Sequence, residues 1–324
     1  MHIVTGGAGF IGSAFVWRLN AAGIDDILIV DELGSDDKWR NLAGLGFRDY
    51  LHKDAFLARV EAGALDGVSS IVHMGACSST TERDADYLAR NNYAYTRTLA
   101  EWAARAGIRF VYASSAATYG GGEHGYSDAY ECIPALRPLN MYGYSKQMFD
   151  LYALRSGLAA RLAGVKFFNV YGPNEYHKGD MSSVIYKSFF QVRDQGVIRL
   201  FRSHRPDYGD GEQLRDFIYV KDCLDVLLWL VERPQVNGIF NLGTGRARTW
   251  NDLAAAVFDA LEKPARIEYF DMPENLRDRY QYRTEAEMDK LRAAGYTAPF
   301  TALEDGVRDY VRNYLMKGPA YLER

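Results

Sequence analysis

The stretch Thr5-Gly6-Gly7-Ala8-Gly9-Phe10-Ile11-Gly12 decides how the rest of this chain is read. It follows a short apolar run from His2 to Thr5 and opens an amphipathic stretch that reaches about Ala22. Gly7, Gly9 and Gly12 fit a G-x-G-x-x-G spacing, and Gly6, Gly9 and Gly12 fit a G-x-x-G-x-x-G variant. Turns use glycine everywhere, so the pattern alone is weak. Its place between a strand and a helix is what a dinucleotide fingerprint requires. Glycine allows the tight turn and the close approach of a pyrophosphate, which then rests on the helix N-terminus.

The segments that follow alternate between strand and helix character. Ile27 to Val30 reads as a second strand ending in Asp31-Glu32, about 20 residues past the glycines, where an acid bonds the adenosine ribose and favours NAD. Lys38, Arg40 and Lys53 follow closely and could neutralise a 2′-phosphate, favouring NADP. The residues leave that choice open. Ser70 to His73 reads as a strand running into Met74-Gly75-Ala76-Cys77-Ser78, small residues suited to a cofactor crevice. His73 and Cys77 read as packed residues rather than ligand or nucleophile. Tyr87 to Ala106 reads as one long helix carrying Asn91 and Asn92; Arg109 to Ala113 is the next strand, ending in Ser114-Ser115. Val165 to Pro173 reads as one strand stopped by Gly-Pro, Arg215 to Val220 as a strand, Asp222 to Val231 as a helix, and Ile239 to Gly243 as a strand. The last 80 residues read as mainly helical. This alternation predicts an α/β fold with a Rossmann-type doubly wound parallel sheet and a smaller, mainly C-terminal substrate domain. The expected division puts residues 1–172, with about 216–245, in the nucleotide-binding domain, and about 173–215 and 246–324 in the substrate-binding domain.

Composition narrows the function classes. Charged residues at 25% and hydrophobic ones at 48% of 324 residues suit a globular protein with a full core. A net charge of −4 and a pI near 5.9 give no electrostatic case for nucleic acid or an anionic membrane. No run is long enough to span a bilayer, and strand-like residues from His2 leave no room for a targeting peptide. Cys77, Cys132 and Cys223 are scattered without metal-ligand spacing, so no metal is expected, and a reducing, cytoplasmic setting is.

Near the middle stands Tyr142-Gly143-Tyr144-Ser145-Lys146, a Tyr-x-x-x-Lys spacing at the start of a helical pattern through Leu154. Residues four apart share a helix face, so Lys146 lies beside Tyr142. A phenol titrates near pKa ~10. An ammonium within about 4–6 Å is expected to lower that value and make the pair a general acid/base for a sugar hydroxyl. Many surface helices carry the same spacing. The hydroxyl of Ser115, at a strand end, can reach the same crevice.

Together these features resemble the extended short-chain dehydrogenase/reductases: the glycine stretch, the serine-rich strand end, Tyr142 with Lys146, and Phe168-Asn169-Val170-Tyr171-Gly172-Pro173. Gly75 to Glu82, Tyr112 to Gly121, His177-Lys178-Gly179 and Phe240 to Gly245 are similar, more narrowly, to the ADP-glycero-manno-heptose 6-epimerase family. That resemblance implies an isomerase of nucleotide-sugar metabolism in lipopolysaccharide-core or S-layer synthesis. It would invert C6 of an ADP-linked heptose through a 6-keto intermediate, with tightly held NADP (NAD being the alternative) and as a homo-oligomer, a pentamer among the options. By motif match, Gly6, Gly9, Phe10, Ile11, Gly12, Asp31, Glu32, Lys38, Lys53, Met74 to Ser78, Asn91, Lys146, Val170 and Lys178 would hold the cofactor. Asn169, Asp180, Lys187, Phe201, Arg202, Ser203, His204, Arg215 and Tyr280 would meet the sugar nucleotide. Tyr142 and Ser115 would handle one proton, and Lys178 would be a second acid/base.

The chain departs from the family pattern at Asp180, where a small hydroxyl residue is expected, at Lys187, where some members have histidine, and in a longer loop from Arg205 to Gln213. Two rival readings fit these residues less well. A 4,6-dehydratase needs an acidic pair where this chain has Ala116-Ala117. A non-catalytic NADP sensor would have no need for Tyr142 and Lys146 together.

Overall fold

The computed structural model describes residues 1–277 and 280–324. Twelve strands run through the described residues: β1 (His2–Thr5), β2 (Ile27–Asp31), β3 (Asp49–His52), β4 (Ser70–His73), β5 (Arg109–Ser115), β6 (Ala163–Phe167), β7 (Asn169–Tyr171), β8 (Ile198–Phe201), β9 (Leu214–Tyr219), β10 (Gly238–Leu242), β11 (Ala247–Thr249) and β12 (Ile267–Phe270). Seven of them form a sheet in the order β10-β6-β5-β4-β1-β2-β3, parallel throughout.

Burial on both faces explains the near-continuous apolar strands. Neighbouring residues point to opposite faces. Val4, Ile29, Val72 and Val111 join one core with Phe15, Val16 and Leu19 of the helix Phe10–Ala21 and with Leu227 and Leu230 of the helix Val220–Glu232. Ile3, Leu28, Ile71 and Phe110 join the other with Phe56, Leu99 and Phe149. Strand order reverses between β1 and β4, and ligands of such sheets bind at that switch, beyond the carboxyl ends of the strands. The expected α/β, doubly wound fold is therefore present.

Three segments differ from the sequence reading. The stretch read as one helix from Tyr87 is a short helix, Ala85–Leu88, a π-helical turn, Ala89–Ala94, and a helix, Tyr95–Ala106. A π turn occurs as a single widened turn inside a longer helix, so its residues read as helix like their neighbours. The run from Val165 is two strands: β6 ends at Phe167, and β7 pairs instead with β9 in a separate three-stranded sheet, β11-β9-β7. The end of the chain, whose helices outnumber its strands, also holds two strands the sequence did not show: β11 pairs antiparallel with β9 and β12 pairs parallel with β8. Strands of three or four residues carry too little periodicity to show before their partners do.

No helix of the described residues is long and apolar enough to cross a membrane, and no group of three or more His, Cys, Asp or Glu among them could hold a metal ion.

Candidate active site

The glycine turn is shaped by what its backbone touches. Gly6 has φ +64°, and a Cβ there would stand 2.6 Å from the Gly75 nitrogen; one on Gly12 would stand 2.0 Å from the Gly6 carbonyl oxygen. Gly9 caps the helix Phe10–Ala21 without a side-chain bond, which leaves the positive end of that helix open to an anion. Asp31, almost fully buried, braces the turn. One carboxylate oxygen accepts from the Ala8 N–H at 2.8 Å, the other from the Glu32 N–H at 2.7 Å and Lys38 Nζ at 2.9 Å. Three donors inside the protein thus share its two oxygens, and Asp31 also lines two cavities, of about 290 and 550 Å³. Glu32 is the more exposed acid and pairs with Lys53 at 2.5 Å, which holds its carboxyl below the usual range. Lys53 also donates to Asn91 at 3.2 Å. Glu32, Lys38, Lys53, Cys77 and Asn91 line one cavity of about 290 Å³.

The wall after β4 is tied to the π turn. Asn92 accepts from the Cys77 N–H and donates to the Cys77 carbonyl, both at 2.9 Å, and donates to Ser145 Oγ at 3.0 Å. Its own carbonyl accepts from Thr96, whose hydroxyl meets His73 Nε2 at 2.8 Å, while His73 Nδ1 meets Thr5 at 2.5 Å. Burial, then the Lys146 charge, pushes His73 down to about 3, so it is a neutral strut. The sequence places Asn92 on the helix beside Asn91 but gives it no role; the π turn separates their tasks.

Asn140 caps the next helix, Met141–Arg155, by accepting from the Gly143 N–H at 2.8 Å. Tyr142 and Lys146 then face a cavity of about 550 Å³ lined also by Gly6, Gly9, Phe10, Ile11, Gly12, Met74, Gly75, Ala76, Ser78, Ser115, Asn169, Val170 and Lys178. Lys146 Nζ donates to the Ala113 carbonyl at 2.8 Å, and burial pushes its pKa down to about 8. The expected lowering of Tyr142 is corrected: burial raises it, and the hydrogen-bonded Ser115 hydroxyl opposes only part of that rise. The ammonium is drawn to the strand carbonyl rather than spent on the phenol. Tyr142 is thus a proton donor as it stands, and becomes an acceptor where a positive charge arrives beside it.

Beneath this helix lies a charged pair with no exposure. Asp150 meets Lys166 at 2.6 Å and accepts from Tyr112 at 2.8 Å and Ser114 at 2.7 Å; Lys166 also donates to Thr118 at 2.7 Å. These bonds fix the strand end that carries Ser115.

Lys178 comes from the loop after β7. Its Nζ lies 5.4 Å from the centre of the Phe10 ring, and burial lowers its pKa against the pull of Glu175. His177, Ser182 and Ser183 of the same loop also line the cavity. Asp180 and Lys187 do not: the Lys187 ammonium donates to the Asp180 carbonyl at 2.6 Å, and the Asp180 side chain is exposed.

A further cavity of about 680 Å³ is lined by His204, Arg205, Tyr208, Arg277, Tyr280, Tyr282 and Arg283, with Glu123. Arg215, nearly buried, stacks at 5.0 Å on Tyr280 and at 5.6 Å on Trp250. It donates to the Leu214 carbonyl, and no carboxylate pairs with it among the described residues. Phe201 packs on Phe270 at 4.9 Å. Ser203 takes part in the Arg205 turn, and Arg202 faces Asp210 and Asp271 at 3.9 Å and lines none of the three cavities. Sequence reading missed Trp250, Tyr208 and Tyr282, which are brought in by pairings between distant segments.

A nucleotide-binding glycine turn, a tyrosine–lysine pair and a serine at one crevice define a class of dinucleotide-dependent enzyme. The chain belongs to the NAD dependent epimerase/dehydratase family, whose model matches residues 2–243. Its similarity is narrower still. It is 59% identical over 323 residues to the ADP-L-glycero-D-manno-heptose-6-epimerase of Nitratidesulfovibrio vulgaris, covering 99% of this chain and 100% of that one. It is 48% identical over 334 residues to the enzyme of that name from Fusobacterium nucleatum, covering 99% and 100%. The crystal structure of the Helicobacter pylori ADP-L-glycero-D-manno-heptose-6-epimerase superposes with a TM-score of 0.82 at 25% identity, covering 96% of this chain and 95% of that one.

Proposed function

We propose that this protein inverts C6 of the heptose in ADP-D-glycero-D-manno-heptose, giving the L-glycero epimer. The observation that carries the reading is that Tyr142, Ser115 and Lys178 line one cavity with the glycine turn. The residues fit a dinucleotide: a Cβ would fill the turn at Gly6 and Gly12, and the helix N-terminus behind it is open. When bound, the nicotinamide supplies reversible oxidation of the C6 carbinol. Tyr142 exchanges the proton of the C6 hydroxyl, Ser115 orients that hydroxyl, and Lys146 steadies the phenolate once its proton has moved. C6 lies outside the sugar ring, so the oxidised carbon can turn about the C5–C6 bond. Its oxygen then leaves Tyr142, and Lys178 gives or takes the proton at the new position. Arg215, stacked between Tyr280 and Trp250, suits the diphosphate of the substrate.

The finer readings rest on the same residues. Lys38 and Lys53 beside the ribose-facing acids favour NADP over NAD. Residues 1–172 with about 216–245 serve the cofactor, and about 173–215 with 246–324 the sugar nucleotide. Three free thiols suit a cytoplasmic setting, and the protein works as a homo-oligomer.

The test is incubation with ADP-heptose in heavy water, with C6 configuration followed by NMR. Interconversion of the two epimers without deuterium at C6, and without free NADPH accumulating, is expected. Unchanged C6 configuration overturns the proposal, as does stoichiometric consumption of cofactor.

A further inference from the structure

The loop from Gly172 to Ser183 hangs Lys178 over the cavity, yet its turn, Tyr176–Met181, is irregular and breaks at Gly179. Glu175 closes the loop on itself, accepting from the Ser183 hydroxyl at 2.7 Å, the Ser183 N–H at 2.5 Å and the Gly172 N–H at 3.3 Å. Those bonds tie its two ends together. They do not set its distance from the glycine turn, and that is the work of Asn174 and Tyr176. Asn174 has no exposed surface and stands at φ +77°, which a residue with a Cβ keeps only where its neighbours hold it there. Its amide donates to Ser13 Oγ at 3.0 Å, and its carbonyl accepts from Asn41 at 3.1 Å. Asn41 also donates to the Ala8 carbonyl of the glycine turn at 2.9 Å. The last bond comes from far along the chain: Asn174 Oδ1 accepts from the Leu322 N–H at 2.9 Å. The Tyr176 hydroxyl donates to the Ala320 carbonyl at 2.7 Å, and its ring meets that of Tyr321 edge to face at 5.2 Å.

The segment Ala320–Arg324 has no regular structure, yet it is pinned on its other side as well. Leu322 is buried in the core that holds Phe15 and Val16. Trp17 Nε1 donates to the Glu323 carbonyl at 3.0 Å, and the Arg324 N–H to the Gly44 carbonyl at 3.2 Å. The Arg324 side chain pairs with Asp25 at 2.8 Å. Trp17 and Phe15 stand on the helix Phe10–Ala21, which the glycine turn opens. One irregular segment therefore bridges the Lys178 loop and the nucleotide-binding helix. Ordering it costs chain entropy that only this packing and these bonds offset. None of the bonds touches the helix Met141–Arg155, which carries Tyr142.

We propose that Ala320–Arg324 is a strap that positions Lys178: through Asn174 and Tyr176 it holds the loop at a fixed distance from the glycine turn, so that Lys178 meets the substrate oxygen only while the strap is seated. The proposal rests on the reading of Lys178 as the second acid/base. The test compares the parent with Tyr176→Phe, which removes one hydroxyl, and with a chain lacking residues 320–324. Amide hydrogen exchange, read on peptides by mass spectrometry, should quicken in residues 172–183 of Tyr176→Phe by about 2- to 10-fold, the worth of one hydrogen bond. It should quicken further in the shortened chain and stay unchanged in residues 141–155. Single-turnover reduction of the bound nicotinamide is then followed with each epimer. One epimer gives its C6 hydroxyl proton to Tyr142 and the other to Lys178, so Tyr142→Phe and Lys178→Met show which is which. In the shortened chain the Lys178-dependent epimer should react about 10²-fold more slowly, as a misplacement of about 1 Å costs, and the other within about 2-fold of the parent. Equal slowing of both epimers overturns the proposal, because a merely structural strap acts on both. Parent-like exchange in residues 172–183 overturns it too. Parent-like rates with both epimers in Lys178→Met remove the acid/base reading instead, and the exchange result then decides whether the strap holds the loop.

Discussion

Replacing Lys53 or Lys38 with alanine should erode a preference for NADP while leaving NAD binding nearly intact. The two nucleotides differ only by the 2′-phosphate, so the ratio of their dissociation constants isolates what that group touches. Asp31 can serve a ribose hydroxyl only through the one acceptor site left to it, because its two oxygens already take three donors. Glu32 could as well, but Lys53 sits on it at 2.5 Å. A 2′-phosphate entering here draws Lys53 and Lys38 away from the two acids. A hydrogen bond to a charged group is worth about 1.5–3 kcal/mol, and each ~1.4 kcal/mol is tenfold. Loss of one lysine should therefore lower the NADP-to-NAD preference by about 10-fold to 150-fold. Lys53 belongs at the lower end: its pair with Glu32 is largely exposed and gives back at most about 1 kcal/mol. Glu32→Gln should act in the opposite sense and raise the preference, because a like charge beside the phosphate is gone. The assay is calorimetric titration of the cofactor-free protein with each nucleotide at low and moderate salt. Screening should weaken NADP and spare NAD. If both lysine variants keep the parent ratio, the 2′-position is read elsewhere and the reasoning fails.

Four further outcomes are expected. Tyr142→Phe should lower kcat by about 10²–10⁴, the usual worth of a positioned acid/base, while cofactor content is kept; near-normal turnover would move the chemistry to another group. In the parent enzyme, turnover through Tyr142 should decline as pH rises past about 8, where Lys146 loses the proton that steadies the phenolate. Gly12→Ala should weaken nucleotide binding by at least about 100-fold in titration, because its Cβ would stand 2.0 Å from a backbone oxygen that cannot swing aside; parent-like affinity would mean the turn is not the cradle. Lys166→Met should cost about 3–5 kcal/mol in urea unfolding, since it strands the Asp150 carboxylate without its cation; a loss under about 1 kcal/mol would show that Tyr112 and Ser114 suffice.

Much of this site was legible because its chemistry is local. The glycine turn needs only a strand before it and a helix after it, and the Tyr142–Lys146 pair needs only one helix. What escaped depends on partners far along the chain. The direction of the Tyr142 shift is set by its burial, while the Lys146 ammonium beside it bonds the Ala113 carbonyl of β5. The π turn that separates Asn91 from Asn92 is held by Cys77 and Ser145, which come from two other segments. Arg215 was legible as a cation, but its stacking on Trp250 and Tyr280 depends on β11 and on the loop after β12. Asp180 and Lys187 were expected at the substrate, and they bond each other outside the cavity instead.

On the reading proposed, the break at Phe168 lets proton handlers stand on both sides of one substrate. β6 stays in the central sheet to Phe167, where it pairs with Ser115 and Leu242; the Phe168 N–H then makes a last bond to the Leu242 carbonyl at 3.0 Å. From Asn169 the chain runs along β9 instead, and Gly172, with φ +141° and no room for a Cβ against Val220, turns it into the Glu175 loop. Tyr176 of that loop packs on the core shared with Phe15 and Val4. The helix bearing Tyr142 packs through Phe149 on the other core, with Ile3 and Phe110. The two proton handlers therefore reach the cavity from opposite faces of the central sheet. On the reading proposed, a carbonyl that turns about one exocyclic bond meets a donor in either orientation without any movement of the protein, and a fold whose chain stayed in one sheet through Tyr171 would offer it only one.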